Sequence, residues 1–120
     1  MMTKIYISIT LMSILAFAYY LLPESESAKR SAKLRVRFTA YGCSSCHVIS
    51  EAQSSSGKVG PPLTGLGSRA YLAGRLPNTH ENLVRWIRFP QEVDPETVMP
   101  NMNVTESDAQ EMAQILNEFK

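Results

Sequence analysis

"YGCSSCHVIS", residues 41–50, holds both cysteines of this 120-residue chain, and a histidine follows the second directly. A C-x-x-C-H run is the attachment signal for covalent haem. The logic is local. Two thiols three residues apart on one turn can each add to a vinyl group of a porphyrin, and the imidazole of the next residue then lies under the iron. Thioethers at Cys43 and Cys46 would keep the group permanently beside His47. Rival uses of the run fit less well. A structural zinc site takes four ligands, and the chain offers one further histidine, His80. An iron–sulfur cluster usually takes four cysteines. A thioredoxin-like pair belongs beside a βαβ pattern, and no strand-rich segment is present. A disulfide between Cys43 and Cys46 would close too short a loop to stabilise much.

Upstream of the motif, "LRVRFTAYG" (34–42) places Leu34, Phe38 and Tyr41 on one helical face, although Leu34, Val36 and Phe38 also alternate as in a strand. The motif that follows favours the helix. "PESESAKRSAK" (23–33) is polar and reads as a linker. Residues 5–22, "IYISITLMSILAFAYYLL", carry no charge. As a helix they would span roughly 27 Å, close to the roughly 30 Å of a hydrocarbon core. Lys4 precedes them, and the bulky Tyr19, Tyr20, Leu21 and Leu22 leave no cleavage site. Residues 1–22 are therefore expected to be an uncleaved transmembrane signal-anchor; the alternative is a signal peptide cut near Ser27 or Ala28. Lys29, Arg30, Lys33, Arg35 and Arg37 follow this segment, and by the positive-inside rule they would put the rest of the chain in the cytoplasm.

Downstream, "SEAQSSSGKVGPP" (50–62) and "TGLGS" (64–68) read as loop. Thr79 offers an N-cap to "HENLVRWIRF" (80–89), with Leu83, Trp86 and Ile87 as its apolar positions, and Pro90 ends that helix. "QEVDPETVMPNMNV" (91–104) has two prolines and no helical period. Thr105 and Asp108 then form a capping-box-like start, and Ala109, Met112, Ala113, Leu116 and Phe119 make one apolar stripe. The expected domain, 34–120, is all-α: short helices joined by long loops. So small a domain buries modest apolar area, which a large flat cofactor would supplement. Beyond residue 23 basic and acidic residues balance at 11 each, without the basic excess of a nucleic-acid binder.

A second axial ligand is sought among the six methionines. Met1, Met2 and Met12 belong to the anchor and Met112 to the last helix's apolar stripe, which leaves Met99 and Met102 in the proline-bounded loop. A thioether favours reduced iron and raises the potential. His80 opens a helix and is the weaker candidate.

Taken together, these features resemble the class I cytochromes c over about residues 32–119. "CSSCH" comes first, "GPPLTGLGSR" (60–69) resembles the family's Gly-Pro-x-Leu-x-Gly-Leu loop, and Pro90, Pro95, Thr97 and Met99 reproduce its Pro-x-x-x-x-Pro-x-Thr-x-Met spacing. The similarity is greatest to bacterial membrane-anchored members of respiratory chains. The resemblance implies thioethers at Cys43 and Cys46, His47 as proximal ligand and Met99 as distal ligand of one haem c. It implies that the Pro61 carbonyl accepts a hydrogen bond from His47, that Arg69 lies near a propionate, and that Thr97 helps hold the distal side. Trp86 stands where many members have a tyrosine, and serves either the haem periphery or the core. Leu34 stands where many have a glycine at a helix crossing, which should push the helices apart or shift the contact to Ala32.

These implications describe an electron carrier rather than an enzyme. Iron with two protein ligands has no open position for substrate. The expected partners are a quinol-oxidising complex and a terminal oxidase, reached from the inner membrane with the haem domain facing the periplasm, where covalent haem attachment takes place. That placement outweighs the positive-inside count. A fixed subunit of an oxidase or reductase is the alternative, and a haem sensor or peroxidase, which needs an iron position that opens, a more distant one.

Overall fold

The computed structural model describes residues 2–49 and 59–119. Most of the loop expected over 50–62 lies outside them. The described residues are mostly helical: α1 (Met2–Tyr20), α2 (Glu26–Ala40), α3 (His80–Arg88), the single turn α4 (Pro90–Val93) and α5 (Glu106–Glu118), with short 3₁₀ turns at Cys43–Ser45 and Leu66–Ser68. The all-α expectation holds at this level. Two two-residue strands, β1 (Tyr71–Leu72) and β2 (Leu76–Pro77), pair antiparallel with Leu72 opposite Leu76. Nothing in the sequence pattern announces them. They exist because Ala73 and Gly74 both take positive φ, 49° and 68°, and Arg75 N–H closes the turn on the Leu72 carbonyl at 2.9 Å.

Helix α2 begins well before residue 34 and takes in most of the expected linker. Ser25 caps it, accepting from the Ala28 amide at 3.2 Å, and Ala28, Ala32 and the Lys and Arg residues continue it with good helix propensity. Leu34 and Phe38, one turn apart, are its buried residues. Helix α3 is capped as its sequence predicts, Thr79 accepting from the Asn82 amide at 3.2 Å. Its buried face differs from the predicted one: Leu83, Val84 and Ile87 are buried, while Trp86 is only half-buried. Thr105 caps α5 by accepting from the Asp108 amide at 3.2 Å. Ala109, Met112, Ala113 and Leu116 are buried as predicted, joined by Ile115.

Helix α5 packs against both α2 and α3, and the buried residues of the three helices form one cluster with Ile49, Leu66, Leu72 and Val104. Leu34 is 1% exposed and shares one buried cluster with Ala109 and Ala113 of α5, which are fully buried. Ion pairs flank the crossing: Arg30 with Glu118 at 2.8 Å, Lys33 with Glu111, and Arg37 with both Asp108 and Glu111. Tyr41 adds its hydroxyl, donating to Asp108 at 2.6 Å. That bond, ahead of the Arg37 charge, holds the Asp108 carboxyl below its ordinary range. Glu111 is lowered in the same way, chiefly by Lys33 and then by Arg37.

Residues 5–22 do not bear out the expected transmembrane span. Most of the segment is helical as α1, but among the described residues no helix is long and apolar enough to cross a membrane. Helix α1 carries several hydroxyl side chains. Thr10 and Ser13 turn theirs back onto the carbonyls of Tyr6, Ile7 and Ile9 at 2.9–3.0 Å. The side chains of Ile9, Leu11, Ile14, Leu15 and Phe17 are exposed, and none of the described side chains of α1 belongs to the core.

Candidate functional site

The cysteine motif sits where α2 ends. Gly42 takes φ 71°, a left-handed conformation that glycine adopts without a Cβ penalty, and the chain turns at once into the 3₁₀ segment Cys43–Ser45. The Cys46 and His47 amides both return to the Cys43 carbonyl, at 3.2 and 3.0 Å. This turn brings the two cysteines and the histidine together. Both cysteines are free thiols of intermediate exposure. Burial pushes the Cys43 thiol up, opposed by a backbone hydrogen bond at Cys43 and reinforced by Cys46. Reactive redox cysteines have lowered values, so Cys43 lacks the character of a redox thiolate.

His47 is oriented by the loop that begins at residue 59. Its Nδ1 lies 2.8 Å from the Pro61 carbonyl oxygen. A carbonyl can only accept, so Nδ1 carries the hydrogen and Nε2 keeps its lone pair for another partner. Gly60 makes this approach possible: a Cβ there would run into the imidazole ring. The loop is docked on the motif by the Gly60 amide to the Cys46 carbonyl at 2.9 Å and the Leu63 amide to the Val48 carbonyl at 2.7 Å.

The remaining predicted residues divide. The Arg69 guanidinium is tied to the same loop, donating from Nη2 to the carbonyls of Pro62 and Thr64. Thr97 and Met99 are neighbours, the Thr97 hydroxyl accepting from the Met99 amide at 3.2 Å. Met99 and Met102 are both half-buried; Met102 packs against the core with its methyl beside Gly42, and Met99 stands outside that core. Trp86 lies on α3 beside the core residues Leu83 and Ile87, and no described hydrogen bond links it or Met99 to His47. His80 is engaged elsewhere, its Nε2 at 2.6 Å from Gln110 Oε1.

No three His, Cys, Asp or Glu side chains among the described residues converge on a point that could hold an ion, which argues against a zinc site built on Cys43, Cys46 and His47. The same residues fit a covalent haem. Two free thiols share one turn, and an imidazole has its tautomer fixed with Nε2 left to ligate. Sequence reading missed Gly60, which seats the ring, and Asn78, whose side-chain amide donates to the carbonyls of Leu66 and Arg69 at 2.8 and 2.9 Å. The Pro-Asn-Thr run before α3 was the available signal, since asparagine often ties turns to neighbouring backbone.

No family model matches the chain, and no solved structure matches it. Over 84 residues, 69% of this chain, the sequence is 33% identical to cytochrome c oxidase subunit 2 of Alkalihalophilus pseudofirmus. The match takes in 24% of that protein, so this chain is similar to a segment about a quarter of its length.

Proposed function

We propose that this protein is a one-electron carrier of the class I cytochrome c kind, holding one covalent haem c and passing electrons to a terminal oxidase. The observation that carries the reading is the His47–Pro61 hydrogen bond, made through Nδ1, beside two cysteines that no disulfide joins. In this reading Cys43 and Cys46 hold the group through thioethers, His47 is its proximal ligand and Met99 its distal one. Met102 is already committed to the core, which leaves Met99 the freer of the two. When bound, haem supplies a one-electron couple. The chain's part is to hold both axial ligands and to deny the iron to other ligands. Arg69, Thr97 and Trp86 belong to the surroundings of the group. The protein moves electrons and transforms no substrate.

The oxidase link rests on the similarity to an oxidase subunit; a quinol-oxidising complex would supply the electrons. That similarity also favours a second reading, a fixed cytochrome subunit of an oxidase. Co-purification in detergent separates the two, since a subunit stays with the complex and a carrier leaves it. The haem domain is proposed to face the periplasm at the inner membrane, where haem attachment takes place. Because no described helix qualifies as a crossing, we propose association through the exposed apolar side chains of α1 rather than an established single pass.

The direct test is a denaturing gel of the full chain, expressed with a haem-attachment system and stained for haem. Haem that stays on the polypeptide supports the reading, and Cys43→Ser with Cys46→Ser should abolish it. A wild-type chain that carries no covalent haem defeats it.

A further inference from the structure

The loop that holds His47 has an unusual difficulty. Pro61 and Pro62 follow one another, and proline has no backbone N–H. Neither proline can donate, so beyond the flanking Gly60 and Leu63 amides the stretch is held through its carbonyls. The Pro61 carbonyl is taken by His47 at 2.8 Å. The Pro62 carbonyl is taken by Arg69 Nη2, which also donates to the Thr64 carbonyl at 3.2 Å.

Arg69 is held in turn. Asn78 Nδ2 donates to the Arg69 carbonyl at 2.9 Å and to the Leu66 carbonyl at 2.8 Å, and the Asn78 amide donates to the Ala70 carbonyl at 2.9 Å. Asn78 immediately precedes Thr79, the N-cap of α3. A continuous set of hydrogen bonds therefore runs from the start of a packed helix, through Asn78 and Arg69, to the two prolines under the imidazole.

Asn78 Oδ1 is buried and has no hydrogen-bond partner among the described residues. Leaving a buried acceptor unpaired is unfavourable, and an apolar side chain of similar shape would avoid the cost. The amide is kept for its two donors.

We propose that Arg69 and Asn78 are positioning residues for His47, fixing the Pro61 carbonyl so that the Nδ1 hydrogen bond and the ring orientation persist. The proposal rests on the reading of His47 as the iron ligand. It assigns Arg69 a role on the proximal loop, distinct from the propionate contact expected from the resemblance. A hydrogen bond from the far nitrogen of a ligating histidine raises its basicity. A stronger donor to the iron favours the oxidised state, so loosening the brace should raise the reduction potential.

The test uses the full-length, haem-loaded protein as wild type, Arg69→Met, Arg69→Lys and Asn78→Leu. Two quantities are read: the exchange rate of the His47 Nδ1 proton by NMR, and the reduction potential. Charge-assisted hydrogen bonds are strong enough that losing one should speed exchange by about tenfold or more. Arg69→Met and Asn78→Leu are expected to do so, with Arg69→Lys restoring part of the protection. Asn78→Leu and Arg69→Lys leave the net charge unchanged, so their upward potential shifts report position and not charge. If Arg69→Met does not fold, the other two variants carry the test. Unchanged exchange and potential in folded Asn78→Leu and Arg69→Lys, or a change in thermal midpoint alone, overturns the proposal while the cytochrome reading stands. A wild type without haem removes both.

Discussion

Replacing Gly60 by alanine should damage the site through space alone. A Cβ at Gly60 would overlap the His47 ring, and no positive φ at this position adds backbone strain. Two responses are open. The imidazole can swing away and lose the 2.8 Å bond to Pro61, or the Gly60 backbone can retreat and lose its 2.9 Å bond to the Cys46 carbonyl. Either costs about one net hydrogen bond, roughly 1 kcal/mol, on top of about 1–3 kcal/mol for overpacking. The expected loss is about 2–4 kcal/mol, or roughly 10–30 °C in the midpoint of a domain this size. The assay is urea and thermal unfolding of the haem-loaded protein, followed beside the His47 Nδ1–H resonance. Gly65→Ala is the control. Gly65 has φ 68°, and a Cβ added there would meet nothing within 4 Å. It should therefore lose about 1–2 kcal/mol to left-handed strain and leave the His47 resonance in place. Gly60→Ala as stable as wild type with an unshifted resonance would refute the reasoning.

The two loop methionines should separate cleanly. Met99→Ala should let carbon monoxide bind rapidly to the reduced protein, whereas Met102→Ala should exclude it and instead lose roughly 1–2 kcal/mol of packing. Acid should loosen the α2–α5 crossing. The Asp108 and Glu111 values are lowered in the folded chain, so their stabilisation is complete above the unfolded carboxyl values near 4 and disappears as pH falls through the depressed folded values. Asp108→Asn should flatten the acid limb of a stability–pH curve. Deleting residues 1–22 should leave the thermal midpoint within experimental error, because none of the described side chains of α1 belongs to the core; binding to lipid vesicles, measured by co-sedimentation, should be lost.

What the sequence by itself determined was set by neighbours a few residues apart. Thr79 and Thr105 could be read as caps because each hydroxyl serves an amide three residues on, within reach whatever the rest of the chain does. The stop at Pro90 and the stripe Ala109, Met112, Ala113 and Leu116 follow from backbone geometry and helical period, and Cys43, Cys46 and His47 share one turn for the same reason. Only the tertiary structure decided matters that depend on residues far apart. Helix α2 extends back to Glu26, through a stretch that reads as linker, where Arg30 and Lys33 meet Glu118 and Glu111 of α5. Val84 rather than Trp86 faces the core because the three-helix packing selects the buried side of α3. Leu34 is buried in one cluster with Ala109 and Ala113 of α5, far along the chain. Gly60 and Asn78 carry no periodic signal at all. Their roles appear only when the loop folds back beneath His47, the imidazole taking the Pro61 carbonyl and Arg69 those of Pro62 and Thr64.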